Sequence, residues 1–108
     1  MIVRYEVLIS DSAKRDIKAI KKYILDTFGY RELAEDFSKK IKRMIKSLEV
    51  FPNGHQSTGL WYRAYNIYLM PRSTYLFFYI VNEDLRMVTI VRVMHDGMDW
   101  QNIIKQLL

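Results

Sequence analysis

The run YLFFYIV, Tyr75 to Val81, decides how this chain folds. Tyr75, Phe77, Tyr79 and Val81 alternate with Leu76, Phe78 and Ile80, and in a strand these two sets point to opposite faces. Both sets are apolar, so the strand has to be covered on both sides and belongs in the middle of a sheet. Turn residues bound it, Pro71 before and Asn82-Glu83-Asp84 after. The strand is read over residues 74 to 81, and its flanks, Leu60 to Leu69 and Leu85 to Met94, have the same β-branched and aromatic character. Links this short favour an antiparallel meander of three strands.

Upstream the period changes. Arg4 to Ser10 (RYEVLIS) reads as a first strand, and Ser10, Asp11 and Ser12 offer helix N-caps. From Ala13 the apolar positions Ala13, Ile17, Ile20, Ile24 and Phe28 step by three or four, and Gly29 stops the helix as a C′ glycine. A second helix runs from about Arg31 to Val50 with Leu33, Phe37, Ile41, Met44 or Ile45, and Leu48 on one stripe. Pro52-Asn53-Gly54 ends it and opens a polar loop through Gly59. Met98, Ile103, Ile104 and Leu107 predict a short C-terminal helix. The whole chain, residues 1–108, is thus one α+β domain, an antiparallel helical hairpin packed on a small, mainly antiparallel twisted sheet in the order β-α-α-β-β-β, then a short helix. The first strand must join that sheet, or its backbone groups stay unpaired.

A length of 108 residues holds one core and not two. The absence of cysteine excludes disulfides and thiolate metal sites and fits a reducing compartment, with the cytoplasm as the default. The N-terminus lacks the parts of a signal peptide, and no stretch reaches the roughly 20 apolar residues of a membrane span. Seventeen basic residues against twelve acidic ones give a formal charge of +5, which favours an acidic partner. The excess is concentrated at Lys14 to Lys22 and Lys39 to Lys46, where it is equally what the solvated face of an amphipathic helix requires.

Taken in order, YEVLIS, the helix AKRDIKAIKKYI, a second helix with Phe37, Ile41, Ile45 and Leu48, FPNG, Arg63, YLFFYIV and VTIVRVMHDGMDW resemble the RelE/ParE toxins of bacterial type II toxin–antitoxin systems, across nearly the whole chain. The resemblance implies a small toxin held inactive by a cognate acidic antitoxin protein. Its target would be messenger RNA on the ribosome or, alternatively, DNA gyrase. Two features depart from the RNA-cleaving members. The turn after His95 is Asp96-Gly97-Met98-Asp99, with no cation, and Leu76 rather than an arginine follows Tyr75.

RNA cleavage by the 2′-hydroxyl needs a proton acceptor, a proton donor for the leaving oxygen and cations for the charged phosphorane, without a metal or other cofactor. Arg63 and Arg92 are the candidates for the cationic role. His95 can serve as acid or base. Tyr75 and Tyr79 offer stacking faces for a base, and Lys39, Lys42 and Arg43 a surface for acidic substrate. Each has a plainer use. Arg92 can pair with Glu83 or Asp99, His95 can satisfy a turn, and alternate tyrosines usually pack. Trp61 and Trp100 are read as core or interface anchors, His55 as a solvated loop residue, and no ligand spacing marks a metal site. Arg92 and His95, three residues apart, fall on opposite pleat faces unless the strand twists or ends between them. The resemblance, taken with these residues, leaves three functions: a ribosome-dependent endoribonuclease, a gyrase-binding inhibitor without chemistry, and a non-toxic interaction module.

Overall fold

The computed structural model describes residues 4–53 and 55–106. Strand β1 (Glu6–Ile9) gives way at Ser10 to helix α1 (Asp11–Phe28), and the Ser10 hydroxyl oxygen caps that helix by accepting the Ala13 N–H at 3.0 Å. Gly29 ends α1 in the left-handed region, φ 73°, where a residue without Cβ is unstrained, and its N–H donates to the Leu25 carbonyl. Helix α2 (Arg31–Val50) returns antiparallel and stops before the buried Pro52, which cannot extend a helix. Gly54, expected to help end it, lies outside the described residues.

Four strands follow: β2 (Gln56–Tyr62), β3 (Tyr65–Arg72), β4 (Tyr75–Asn82) and β5 (Met87–His95), then helix α3 (Trp100–Lys105). The sheet is five-stranded in the order β1-β5-β4-β3-β2, antiparallel except where β1 runs parallel to β5. The α+β architecture is the expected one, with one strand more than the sequence showed. Leu60 to Leu69, read as a single strand, is broken at Arg63-Ala64 into β2 and β3, and β2 already begins at Gln56, inside the stretch read as loop. The reason is Arg63 itself, which takes φ 56° and turns the chain without the glycine or asparagine that marks such turns. Ser73 and Arg86 do the same, at φ 54° and 52°.

β4 occupies the centre of the sheet, as its two apolar faces require. Phe77 and Tyr79 pack with Ala13, Ile24, Phe37, Ile41, Met44 and Leu48 under the helical hairpin. On the other face Phe78 packs with Ile67, Leu69, Met94 and Ile104, so α3 covers the side that the hairpin does not. Leu107, expected in that helix, lies outside the described residues. Trp100 leans on Phe78 with ring centroids 5.4 Å apart, whereas Trp61 on the edge strand β2 is 55% exposed. The apolar stripes are not buried to their ends. Phe28 and Leu33, at the hairpin tip, remain exposed. No helix among the described residues is long and apolar enough to cross a membrane.

Glu83, in the β4–β5 turn, ties three distant segments together. Its carboxylate accepts the Tyr5 hydroxyl at 2.6 Å and the Asn53 side-chain amide at 3.0 Å. These two hydrogen bonds, that from Tyr5 first, hold the Glu83 carboxyl below its ordinary range, and the same contact raises the Tyr5 phenol. A carboxyl with a lowered folded-state pKa stabilises the fold above its unfolded-state value and stops doing so as pH falls through the folded one. Glu83→Gln should therefore reduce stability at neutral pH and lose its effect toward acid. Urea midpoints for the two proteins between neutral pH and the carboxylate range would check this, and a gap constant with pH would refute it.

Candidate functional site

β5 meets β1 only as far as Ile90, because β1 ends at Ile9 and the chain leaves as α1. Past that point the outer edge of β5 has no strand partner among the described residues, and the strand carries a bulge in its ladder with β4. Phe78 faces Arg92 while Tyr79 faces Ile90, so Val91 is the extra residue. The start of α1 takes up the loose backbone groups. The Ser10 hydroxyl donates to the Val91 carbonyl at 3.0 Å, and the Asp16 carboxylate accepts the Val93 N–H at 2.9 Å. The same carboxylate holds Arg92 in a fork, Nε to Oδ2 at 2.7 Å and Nη2 to Oδ1 at 3.0 Å, with both side chains about four-fifths shielded.

Arg92 is thus paired, not with Glu83 or Asp99 but with Asp16 across the edge of the sheet. By register Arg92 faces Phe78 and His95 faces Tyr75, which belong to opposite faces. The Asp16 fork nevertheless brings the Arg92 side chain to the groove that His95 lines. This groove, about 340 Å3, lies between α1 and the end of β5. Its other walls are Tyr75, Tyr23, Ile20 and the methionines Met94 and Met98. A second hollow of about 500 Å3 continues past Tyr75 and His95 toward Phe28, Leu33, Asp36 and Lys40 at the hairpin tip. Tyr75 forms the ridge between the two. It packs on Phe37 at a centroid distance of 4.8 Å and edge-on to His95 at 5.9 Å. Burial holds its phenol above the ordinary tyrosine value, so Tyr75 stays protonated and offers a surface rather than a base.

His95 is half exposed. The Gly97 N–H donates to its Nδ1 at 3.2 Å, which requires a lone pair there and places the proton of the neutral ring on Nε2. Asp96 Oδ1 lies 3.4 Å from the same nitrogen, a contact that becomes an ion pair only when the ring is protonated.

The remaining candidates lie elsewhere. Arg63 sits in the β2–β3 turn, its guanidinium 5.3 Å from the Tyr62 ring centre. That turn is at the Asn82 end of the sheet, opposite Tyr75 and His95, because β3 and β4 run antiparallel from it. Tyr79 has no exposed surface. Its hydroxyl donates to the Pro52 carbonyl at 2.7 Å, it stacks on Tyr68, and burial drives its phenol far above the ordinary value. His55, read as a solvated loop residue, packs edge-on against the same ring, 6.0 Å between centroids. Lys39, Lys42 and Arg43 are exposed on α2. No group of three or more histidine, aspartate or glutamate side chains among the described residues is arranged to hold a metal ion. Asp16 is the site residue that sequence reasoning missed. It is one acid within the basic run of α1, and only the three-dimensional approach of β5 gives it a role.

The family model for the ParE toxin of parDE type II toxin–antitoxin systems matches residues 7–100. Among solved structures the chain resembles a RelBE toxin–antitoxin complex from Mycobacterium tuberculosis at TM-score 0.62 and 20% identity, covering 88% of this chain and 94% of that one. It also resembles a chromosomal ParDE system from P. aeruginosa, TM-score 0.65 and 16% identity, over 85% of this chain and 96% of the other. An archaeal RelE–RelB complex from Pyrococcus horikoshii matches at TM-score 0.58 and 15% identity over 87% and 97%. At these identities the likeness is one of fold. No curated protein sequence matches the chain significantly.

The Asp16 contacts make a prediction about order. Arg92→Ala removes the fork but leaves Asp16 bonded to Val93, a loss of about 1.5–3 kcal/mol. Asp16→Ala leaves both a shielded guanidinium and the Val93 N–H unpaired, a loss of about 3–5 kcal/mol. In the double variant the two losses should overlap rather than add. Chemical denaturation of the three proteins would test this, and a greater cost for Arg92→Ala would be the wrong order.

Proposed function

We propose that this chain, which belongs to the ParE toxin family of type II toxin–antitoxin systems, arrests growth by gripping a protein target, DNA gyrase, and not by cutting RNA. The observation that carries the proposal is the state of the one arginine in the groove. A phosphorane needs a cation free to meet it, and the Arg92 guanidinium is already forked onto Asp16. The groove itself is lined mainly by Ile20, Tyr23, Met94, Met98 and Tyr75, side chains suited to covering by protein. Arg63 stands at the far end of the sheet and could not act in concert with His95 on one phosphate. Residues 96–99, two of them aspartates, add negative charge where phosphate would approach.

A cognate antitoxin is the natural cover for the groove when the toxin is at rest. An amphipathic segment laid between the hairpin and β5 would bury the exposed rings of Tyr23 and Phe28 and the thioether of Met98. The formal charge of +5 favours an acidic protein in that role. His95, half exposed and with its Nδ1 taken by the Gly97 N–H, supports a second reading, ribosome-dependent cleavage of messenger RNA, in which Nε2 would donate to the leaving oxygen.

The two readings separate in one pair of assays. The purified chain should block supercoiling by gyrase and yield no new RNA ends by primer extension on translated messages. His95→Gln should leave the block within about twofold of wild type, because a lone exposed side chain rarely contributes more than about 0.5 kcal/mol. New RNA ends, lost by a hundredfold in His95→Gln while supercoiling proceeds, would put the cleavage reading in its place.

A further inference from the structure

A further concave surface lies on the other side of α1, sharing no residue with the groove or the hollow beside it. Lys14, Ile17 and Lys21 of α1 face Ser38, Ile41 and Lys42 of α2 across a furrow of about 270 Å3, with Ile9 at its end. Its floor is isoleucine and its rim is lysine. Among the described residues Lys14, Lys21 and Lys42 form no ion pair, although acids are available elsewhere on the same helices, as Lys22 with Asp26 shows. No carboxylate among the described residues lines the furrow. Three unpaired cations around an apolar floor differ from a merely solvated helix face, which would carry charge without a depression of isoleucines beneath it.

We infer that this furrow docks an acidic peptide segment that brings one large aliphatic side chain to the floor. The volume is below the roughly 300–1,000 Å3 of small-molecule sites but suits a single buried side chain. Lys14 and Lys21 stand two helical turns apart, about 10.5 Å along α1. An extended peptide rises about 3.3 Å per residue and turns every second side chain to the same face, so carboxylates two or four residues apart, about 6.6 or 13 Å, bracket that spacing within the reach of flexible lysine side chains. A nucleic-acid backbone would use the lysines but leave the isoleucines without a partner. The inference is separate from the choice between gyrase and RNA, since the furrow lies apart from the groove between α1 and β5 on which that choice turns.

Fluorescence anisotropy with the intact chain at low salt tests it. The probe is a short fluorescein-labelled polyglutamate peptide with one leucine at its centre, beside the same peptide with serine in that place. The leucine peptide should bind at least about tenfold more tightly than the serine peptide, because only leucine buries apolar area on the floor. Lys14→Glu, Lys21→Glu and Lys42→Glu combined should abolish binding. Lys39→Glu with Arg43→Glu, outside the furrow on the same helix, should weaken it less than about threefold, the change expected from general charge alone. Equal binding of both peptides to the wild-type chain would overturn the inference without any variant having to fold. So would equal loss in the two charge-reversed proteins, absence of binding, or tighter capture of a labelled DNA duplex than of the leucine peptide.

Discussion

The fold of this toxin depends on how one strand edge is completed. β5 is longer than the strand beside it, and the exposed continuation of its ladder is closed by a helix. Ser10 serves both elements at once, capping α1 with its oxygen lone pair while its proton goes to the bulged Val91 carbonyl. Two turns on, Asp16 takes the next backbone donor and locks Arg92 beside it. An unpaired backbone group in a shielded position costs about 1–3 kcal/mol, so the angle at which α1 leaves the sheet is not free to vary. The groove lies between the helix so held and the end of β5, lined by Ile20, Tyr23 and the methionines.

This explains which parts of the molecule the sequence announces. Alternation in Tyr75 to Val81 identifies a doubly covered strand from the chemistry of seven side chains alone, and the three- and four-residue steps of the two helices are equally direct. Both are properties of single elements. The division of β2 from β3 escapes because Arg63 reaches a left-handed conformation that sequence patterns assign to glycine and asparagine, and nothing in Tyr62-Arg63-Ala64-Tyr65 signals it. Asp16 escapes for a different reason. Its value comes wholly from β5, more than seventy residues away along the chain.

The candidate site divides along the same line. Arg92 and His95 stand out in the sequence, as an arginine within an apolar strand and a histidine at its end. That the arginine is neutralised does not stand out, since its partner is an aspartate in a run of lysines. Tyr75 and Tyr79 are indistinguishable as letters, two tyrosines on the same pleat face, yet one forms a ridge at the surface and the other is sealed under Pro52. The difference comes from their distance to the end of the sheet, which only the register with β3 and β5 defines.

The parallel pairing of β1 with β5 also bears on how the protein comes into being. Ser10 and Val91 are 81 residues apart, so the first strand to leave the ribosome waits for the last to be synthesised. Until then α1 and α2 can form as a local hairpin, but β1 has no neighbour and Asp16 has nothing to hold. The groove is therefore assembled only once β5 has joined α1. A product of interrupted translation that lacks β5 would present the lysine-rich hairpin without the groove.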